Sequence, residues 1–127
     1  MIQVPISTGE LIDKLTILKI KSEKIKDVEK LVNIEKEYNL LLEIMTNTLK
    51  IREDNEDFCK LYELNLMFWE YHDWQRKRWK EIPEGLIDPE LYNRTRTEHE
   101  MNDERARIKR EINNKYQSSI IEEKAFL

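Results

Sequence analysis

The sequence has little of what turns a chain or cross-links it. Its 127 residues include two glycines, three prolines and one cysteine. An all-β fold needs turn residues about every 8–12 positions, so this scarcity excludes it and favours helices. The lone Cys59 excludes an internal disulfide framework and a cysteine-rich zinc site, which fits a reducing cytoplasm. We expect Cys59 to be a small buried apolar group.

Long apolar runs and a strong charge of one sign are also missing. No apolar stretch approaches the roughly 18 residues of a membrane span, and the N-terminus has no hydrophobic signal segment. The 26 acidic and 22 basic residues give a formal charge of −4, without a long block of one sign. This balance gives no reason to expect a membrane or a nucleic acid as partner. We therefore expect one cytoplasmic domain over residues 1–127, without a cofactor.

Most of the aromatic side chains are concentrated between Phe58 and Trp79. This stretch contains all three tryptophans, two of the three phenylalanines and two of the five tyrosines, so the core must be built on it. On a helix, a mainly polar stripe lies beside the most apolar one. The polar stripe consists of Asn65, Trp69, His72, Asp73 and Arg76, and the apolar stripe of Leu61, Leu64, Phe68 and Tyr71.

Helix start and stop signals divide the chain. Ser7 and Glu10 form a capping box that starts a first helix, and a second helix runs back against it from Asp27 to about Arg52. Asp54 or Asn55 caps the aromatic third helix, which ends before Pro83. Asp88 and Pro89 start a short helix to about Thr95, and a last helix opens or continues at Asn102. The prediction is an all-α, small helical bundle with two long antiparallel helices, an aromatic third helix and a shorter C-terminal helix.

Three segments and two spaced motifs carry a resemblance. The segments are STGELIDKLTILKIKSEKI (7–25), LYELNLMFWEYHDWQRKR (61–78), and NDERARIKREIN with IIEEKAF (102–113 and 120–126). The motifs are Asn-Asp-x-Arg-Ala-x-Ile-Lys-x-x-Ile-Asn and Asn-x-x-x-Trp-x-x-x-Asp-x-x-Arg, the second matched by Asn65, Trp69, Asp73 and Arg76. They resemble an uncharacterised family, a domain of unknown function, whose members occur in bacteria, often near lipopolysaccharide-type sugar-transfer genes, and in phages. The chain departs from it at His72, where an acidic residue is expected, and over 80–100. The resemblance implies a fold and a set of polar residues, and it names no reaction.

Polar side chains set beside apolar ones predict a meeting point of three helices and the tail. Buried charges must pair, so one interpretation is an internal network of ion pairs that docks the tail. The other is an anion site, in which cations bind a phosphate, nucleotide or sugar nucleotide against the ring of Trp69. The residues expected to converge are Glu10, Asp13, Asn65, Asp73, Arg76, Asn102, Arg105, Lys109, Asn113, Glu122 and Glu123. The ligand-binding residues of the second interpretation are Asn65, Trp69, Asp73, Arg76, Asn102, Arg105 and Lys109.

One alternative is an enzyme. The pairs Glu53-x-x-Glu56 and Glu70-x-x-Asp73 match the Mg²⁺-binding pattern of all-α nucleoside triphosphate pyrophosphohydrolases. Geometry opposes this interpretation, because Glu56 and Glu70 lie on one predicted helix, roughly 21 Å apart. We therefore expect a protein that is not an enzyme and has no metal site.

Another alternative is an interaction module. The rings of Tyr71, Trp74 and Trp79 would form a homodimer face if the bundle leaves them uncovered. The basic run RKRWK (76–80) also suggests nucleic acid, but its acidic neighbours Glu81 and Glu84 argue against that partner.

Overall fold

The computed structural model describes residues 1–125, and within them the regular structure is entirely helical. Its elements are α1 (Thr8–Lys24), α2 (Val28–Ile44), a π-helical turn (Met45–Leu49), α3 (Glu56–Glu81) and α4 (Pro89–Lys115). The predicted all-α bundle is confirmed. The last two residues of the predicted tail, 126 and 127, lie outside the described part of the chain. No helix in that part is both long enough and apolar enough to cross a membrane.

The predicted starts of the helices are confirmed by their caps. The side chains of Ser7, Asp27, Asn55 and Asp88 each accept a hydrogen bond from a backbone N–H in the first turn of the following helix. Such bonds satisfy donors that a helix start would otherwise leave without a partner. The capping box is only half formed, because the Glu10 carboxylate binds Lys109 on α4.

The relative lengths of the helices differ from the prediction. The first two helices have 17 residues each, whereas α3 has 26 and α4 has 27. The polar stretch 96–101 continues α4 without a break, because it contains neither glycine nor proline and a solvated helix needs no apolar period. The second helix ends at Ile44 rather than near Arg52, and the π turn leads into Lys50, which has a left-handed backbone with φ of 58°.

Helix α1 is the central element of the bundle, since it contacts α2, α3 and α4. Its apolar residues Ile12 and Leu15 are completely buried. The core around them consists of Leu11, Ile12, Leu15, Met45, Ile51, Phe58, Leu61 and Ile112. The prediction that Cys59 is buried is wrong, because Cys59 follows the core residue Phe58 on the outer side of α3 and is exposed.

The far halves of α3 and α4 form a two-helix projection that we call the distal arm, comprising Trp69–Glu81, the connecting loop and Pro89–Met101. Tyr71 Oη lies 3.2 Å from Thr95 Oγ1, and the guanidinium of Arg94 lies 4.1 Å from the ring centre of Trp74. Although these contacts join the two helices, every described residue from 69 to 111 keeps some exposure, and none is buried. The core therefore lies at the other end of the α3–α4 hairpin, where α1 packs.

Candidate functional site

The site begins where the first turn of α1 meets the last turns of α4. The backbone N–H of Gly9 donates to Asn113 Oδ1 at 2.7 Å, and that of Thr8 donates to Ser118 Oγ at 3.2 Å. A Cβ atom on residue 9 would lie 2.6 Å from the carbonyl oxygen of Lys109, which is closer than atoms of this kind approach. The absence of a side chain on Gly9 thus lets the two helices come together. As a result, the carboxylates of α1 reach the cations of α4.

Asn65 on α3 is the centre of a buried polar network. Its Nδ2 donates to Asp13 Oδ1 at 2.7 Å and to Thr16 Oγ1 at 2.8 Å. Its Oδ1 accepts from Arg105 Nη1 at 3.0 Å. Asn65, Asp13 and Thr16 are all buried, so one amide side chain links α1, α3 and α4. Among the described residues, no buried side-chain nitrogen or oxygen lacks a hydrogen bond.

The guanidinium of Arg105 is held from three sides. Besides Asn65, it donates through Nη2 to Asn102 Oδ1 at 2.8 Å. It also lies 4.2 Å from the ring centre of Phe68, where a cation is attracted by the face of the ring. The aromatic ring beneath this cation is thus Phe68, whereas the sequence pattern pointed to its neighbour Trp69. Trp69 itself is half-buried on α3.

Lys109 is the second cation, and it has three carboxylate neighbours. Its Nζ lies 2.7 Å from Glu10, 3.0 Å from Glu122 and 3.7 Å from Asp13. Burial alone would lower the pKa of this ammonium, but the hydrogen bonds to Glu10 and Glu122 and the charge of Asp13 raise it above its ordinary value. Lys109 is therefore charged at neutral pH although only 12% of its side chain is exposed.

The C-terminal tail after α4 folds back along that helix. Glu122 binds Lys109, and Glu123 binds Arg110 Nη1 at 2.8 Å. Hydrogen bonds from Lys124 and Lys109 hold the pKa of the Glu122 carboxyl below its ordinary value, and the bond from Arg110 does the same for Glu123.

Between the tail and α4 lies an open cleft of about 400 Å³, which we call the tail cleft. A smaller cleft of about 190 Å³ lies next to it, between α1, α4 and Lys124. The tail cleft is lined by Ala106, Arg107, Lys109, Arg110, Asn113, Glu122, Glu123 and Lys124.

The model of a family of unknown function, DUF6165, matches residues 2–127. The chain belongs to this family. No curated protein and no solved structure is significantly similar to it. Membership in DUF6165 brings no activity with it, so the chemistry of the site has to be argued from its own residues.

The structure of this DUF6165 chain brings together four of the seven predicted ligand-binding residues, namely Asn65, Asn102, Arg105 and Lys109. The other three are Trp69, next to the network on α3, and Asp73 and Arg76, both exposed on the distal arm. Asp73 binds Lys77 one turn along the same helix. Position 76 shares a helix face with Asn65 but lies roughly 16 Å further along the axis, so the predicted contact of Asp73 and Arg76 with the α4 cations is wrong. Whether the four residues bind a ligand stays a prediction.

Sequence reasoning missed Thr16, Phe68, Arg110 and Lys124. Thr16 stands one turn after Asp13, and Arg110 directly follows Lys109 in the NDERARIKREIN motif, so both had a signal in their spacing. Phe68 was assigned to the core because its stripe is apolar. Lys124 had no signal, because the path of an irregular tail has no period.

The four carboxylates of the pyrophosphohydrolase pattern do not meet in this DUF6165 structure. Glu53 binds Lys19 at 3.2 Å and also accepts from the Tyr38 hydroxyl, whose bond is the main reason for the lowered pKa of Glu53. Glu56 and Asp73 bind lysines on their own helix, and no group of three or more potential metal ligands occurs among the described residues. Glu53, Glu56 and Asp73 are thus engaged in separate ion pairs rather than in one site.

Proposed function

We propose that this DUF6165 protein binds a small phosphate-bearing anion in the tail cleft. The supporting observation is the local charge. The chain has a formal charge of −4, yet the described residues that line this cleft include four basic and two acidic side chains. A surplus of cations in a concave site raises the local concentration of anions, and Arg and Lys side chains are the usual donors to phosphate oxygens.

The two cations at the centre of the cleft differ in a way that suits ligand binding. Lys109 is held in place by Glu10 and Asp13 of α1, so its position is fixed before any ligand arrives. Arg110 has 52% of its side chain exposed and, among the described residues, is paired only with the still more exposed Glu123. Exposed ion pairs contribute little to stability, so a ligand oxygen can replace Glu123 at low cost. Lys109 supplies a fixed charge, and Arg110 an available fork of N–H donors.

Removing the available donor should weaken binding without affecting the fold. In an isothermal titration with inorganic pyrophosphate at low salt, Arg110→Gln should raise the Kd at least about tenfold over the wild type, because a charge-assisted contact is lost. The control is Arg94→Gln, which removes the same charge from the distal arm and should leave the Kd nearly unchanged.

Two outcomes contradict the proposal. One is the absence of heat with pyrophosphate and with phosphate at millimolar concentration. The other is an equal loss of affinity in Arg110→Gln and Arg94→Gln, which would mean that only the overall charge matters. Circular dichroism of both variants establishes that they are folded as the wild type is.

We also infer a second candidate function, the pairing of two copies through the distal arm. Four large apolar residues of this arm and its loop, Trp79, Leu86, Ile87 and Tyr92, are at least 60% exposed. Two helices alone cover only part of each other's surface, and none of the residues from 69 to 111 is buried. A second hairpin of the same sequence would supply two more helices and complete a four-helix arrangement, and twofold pairs are the commonest protein assembly.

Light scattering coupled to size exclusion tests this pairing. The wild type should have the mass of two chains, about 31 kDa from 15.5 kDa for one. Trp79→Ser combined with Tyr92→Ser should give the mass of one chain, because two large apolar contacts are lost. Met67→Ser serves as the control, since Met67 is an exposed apolar residue of α3 outside the arm and should leave the pair intact. A wild type that elutes with the mass of one chain at high concentration would end this candidate.

A further inference from the structure

The tail presents two neighbouring carboxylates to two neighbouring cations. Glu122 and Glu123 follow each other in the tail, and Lys109 and Arg110 follow each other in α4. Their closest oxygen–nitrogen distances are 3.0 Å for Glu122 with Lys109 and 2.8 Å for Glu123 with Arg110. The cleft is therefore occupied along one side by two anionic groups that belong to the chain itself.

These two ion pairs also hold the described part of the tail to the body of the protein. Up to Ser118 the chain is held by hydrogen bonds with the backbone of the helices. Ser118 N donates to the Asn113 carbonyl at 2.8 Å, and Ser118 Oγ accepts from the backbone N–H of Thr8. For described residues after Ser118, the hydrogen bonds that reach α4 are those of Glu122 and Glu123. Ile120 and Ile121, which precede them, remain at least 40% exposed. For residues 119–125 the attachment is thus mainly electrostatic, and an anion that takes the cations removes these contacts.

Release of the tail leaves no buried charge without a partner. Lys109 keeps Glu10 at 2.7 Å and Asp13 at 3.7 Å when Glu122 departs. Arg110, Glu122 and Glu123 are open to water and can be solvated. The folded bundle can therefore exist with the tail bound or free, as a two-state element must.

We propose that the tail is a built-in competitor for the anion site, and that the ligand carries two adjacent anionic groups, as a diphosphate does. This inference rests on the proposed function, because it concerns the same cleft. One phosphoryl group takes the place of the Glu122 carboxylate at Lys109, and the other takes that of Glu123 at Arg110. A single phosphate displaces only one carboxylate and leaves the tail half attached. The tail thereby favours doubly anionic ligands and lowers the apparent affinity for all of them.

The test removes the negative charges of Glu122 and Glu123 while keeping the shape of their side chains. In Glu122→Gln/Glu123→Gln, pyrophosphate should bind about three- to tenfold more tightly than in the wild type, because the fraction of open sites no longer limits the apparent Kd. The control is Glu84→Gln/Glu100→Gln, which removes two negative charges from exposed positions elsewhere and should leave the Kd within about twofold. Phosphate should bind more weakly than pyrophosphate by at least about tenfold in the double tail variant, since only one cation is engaged.

A second readout follows the tail directly. In ¹⁵N spectra of the wild type, pyrophosphate should move the amide signals of Ile120 and Ile121 towards the positions they have in the double tail variant without ligand. If pyrophosphate binds both proteins equally and these signals stay in place, the competitor role is wrong and the anion site stands. If phosphate and pyrophosphate bind the double tail variant equally, the doubly anionic ligand class is wrong. If neither protein binds either anion, the proposed function fails together with this inference.

Discussion

Gly9→Ala should lower the free energy of unfolding by about 2–4 kcal/mol, although alanine is the better helix former by roughly 1 kcal/mol. The added methyl group would lie 2.6 Å from the Lys109 carbonyl oxygen and 3.0 Å from Asn113 Oδ1. The first of these atoms belongs to the backbone of a helix, so it can retreat only if α1 and α4 separate. Separation lengthens the bond from Gly9 to Asn113 and weakens the ion pair of Lys109 with Glu10. Urea unfolding followed by circular dichroism measures the change.

The sign of the change in the free energy of unfolding is what tests the close approach of α1 and α4. Lys14→Ala, on the exposed side of the same helix, should change stability by less than about 0.5 kcal/mol. A Gly9→Ala protein as stable as the wild type would show that the close approach of the two helices is not required for the fold.

Asn65→Ala should cost about 3 kcal/mol, the other large effect expected from a single substitution. The change removes one amide group but takes a hydrogen-bond partner from three buried or half-buried groups, namely Asp13, Thr16 and Arg105. Two of these are charged, so the loss exceeds that of an ordinary hydrogen bond. Thermal and urea unfolding should both show the loss.

A double-mutant cycle separates the network from simple packing. Asn65→Ala and Arg105→Ala should be coupled by about 1–3 kcal/mol, because each removes the other's partner. Asn102→Ala provides the comparison, since Asn102 is half-buried and its hydrogen bond to the network comes from Arg105 Nη2. It should cost about 1 kcal/mol or less. Additive effects of the Asn65 and Arg105 substitutions would mean that the network does not act as a unit.

The starts of the helices could be predicted from sequence because the signal is local. Ser7, Asp27, Asn55 and Asp88 each act on a backbone N–H two or three residues away, so the tertiary structure has little influence on the outcome. The end of the second helix was harder to predict, because it depends on the π-helical turn that places Met45 in the core. The unbroken α4 was missed because its polar middle looks like a loop when only apolar periodicity is considered.

The polar stripe of α3 shows a different limit of prediction from sequence. Helical spacing gives the direction of a side chain around the axis, and it correctly grouped Asn65 with the stripe that faces charged partners. It does not give the distance along the axis at which a neighbouring helix stops. Asp73 and Arg76 are exposed, so the same stripe that is buried at Asn65 is solvated at Arg76. The point at which the polar stripe of α3 becomes exposed depends on the packing of α1. The sequence of α3 alone contains no signal for that point.

The contact of α1 with the end of α4 also determines when the molecule can be completed. The bonds from Gly9 to Asn113 and from Thr8 to Ser118 join residues that are 104 and 110 positions apart. During synthesis, α3 and α4 follow each other and can pair soon after they emerge, whereas α1 waits for more than a hundred further residues before its partner exists. Until then its buried side, including Asp13 and Ile12, has no cover from α4. The contact between α1 and α4 therefore cannot form before almost the whole described part of the chain has been synthesised.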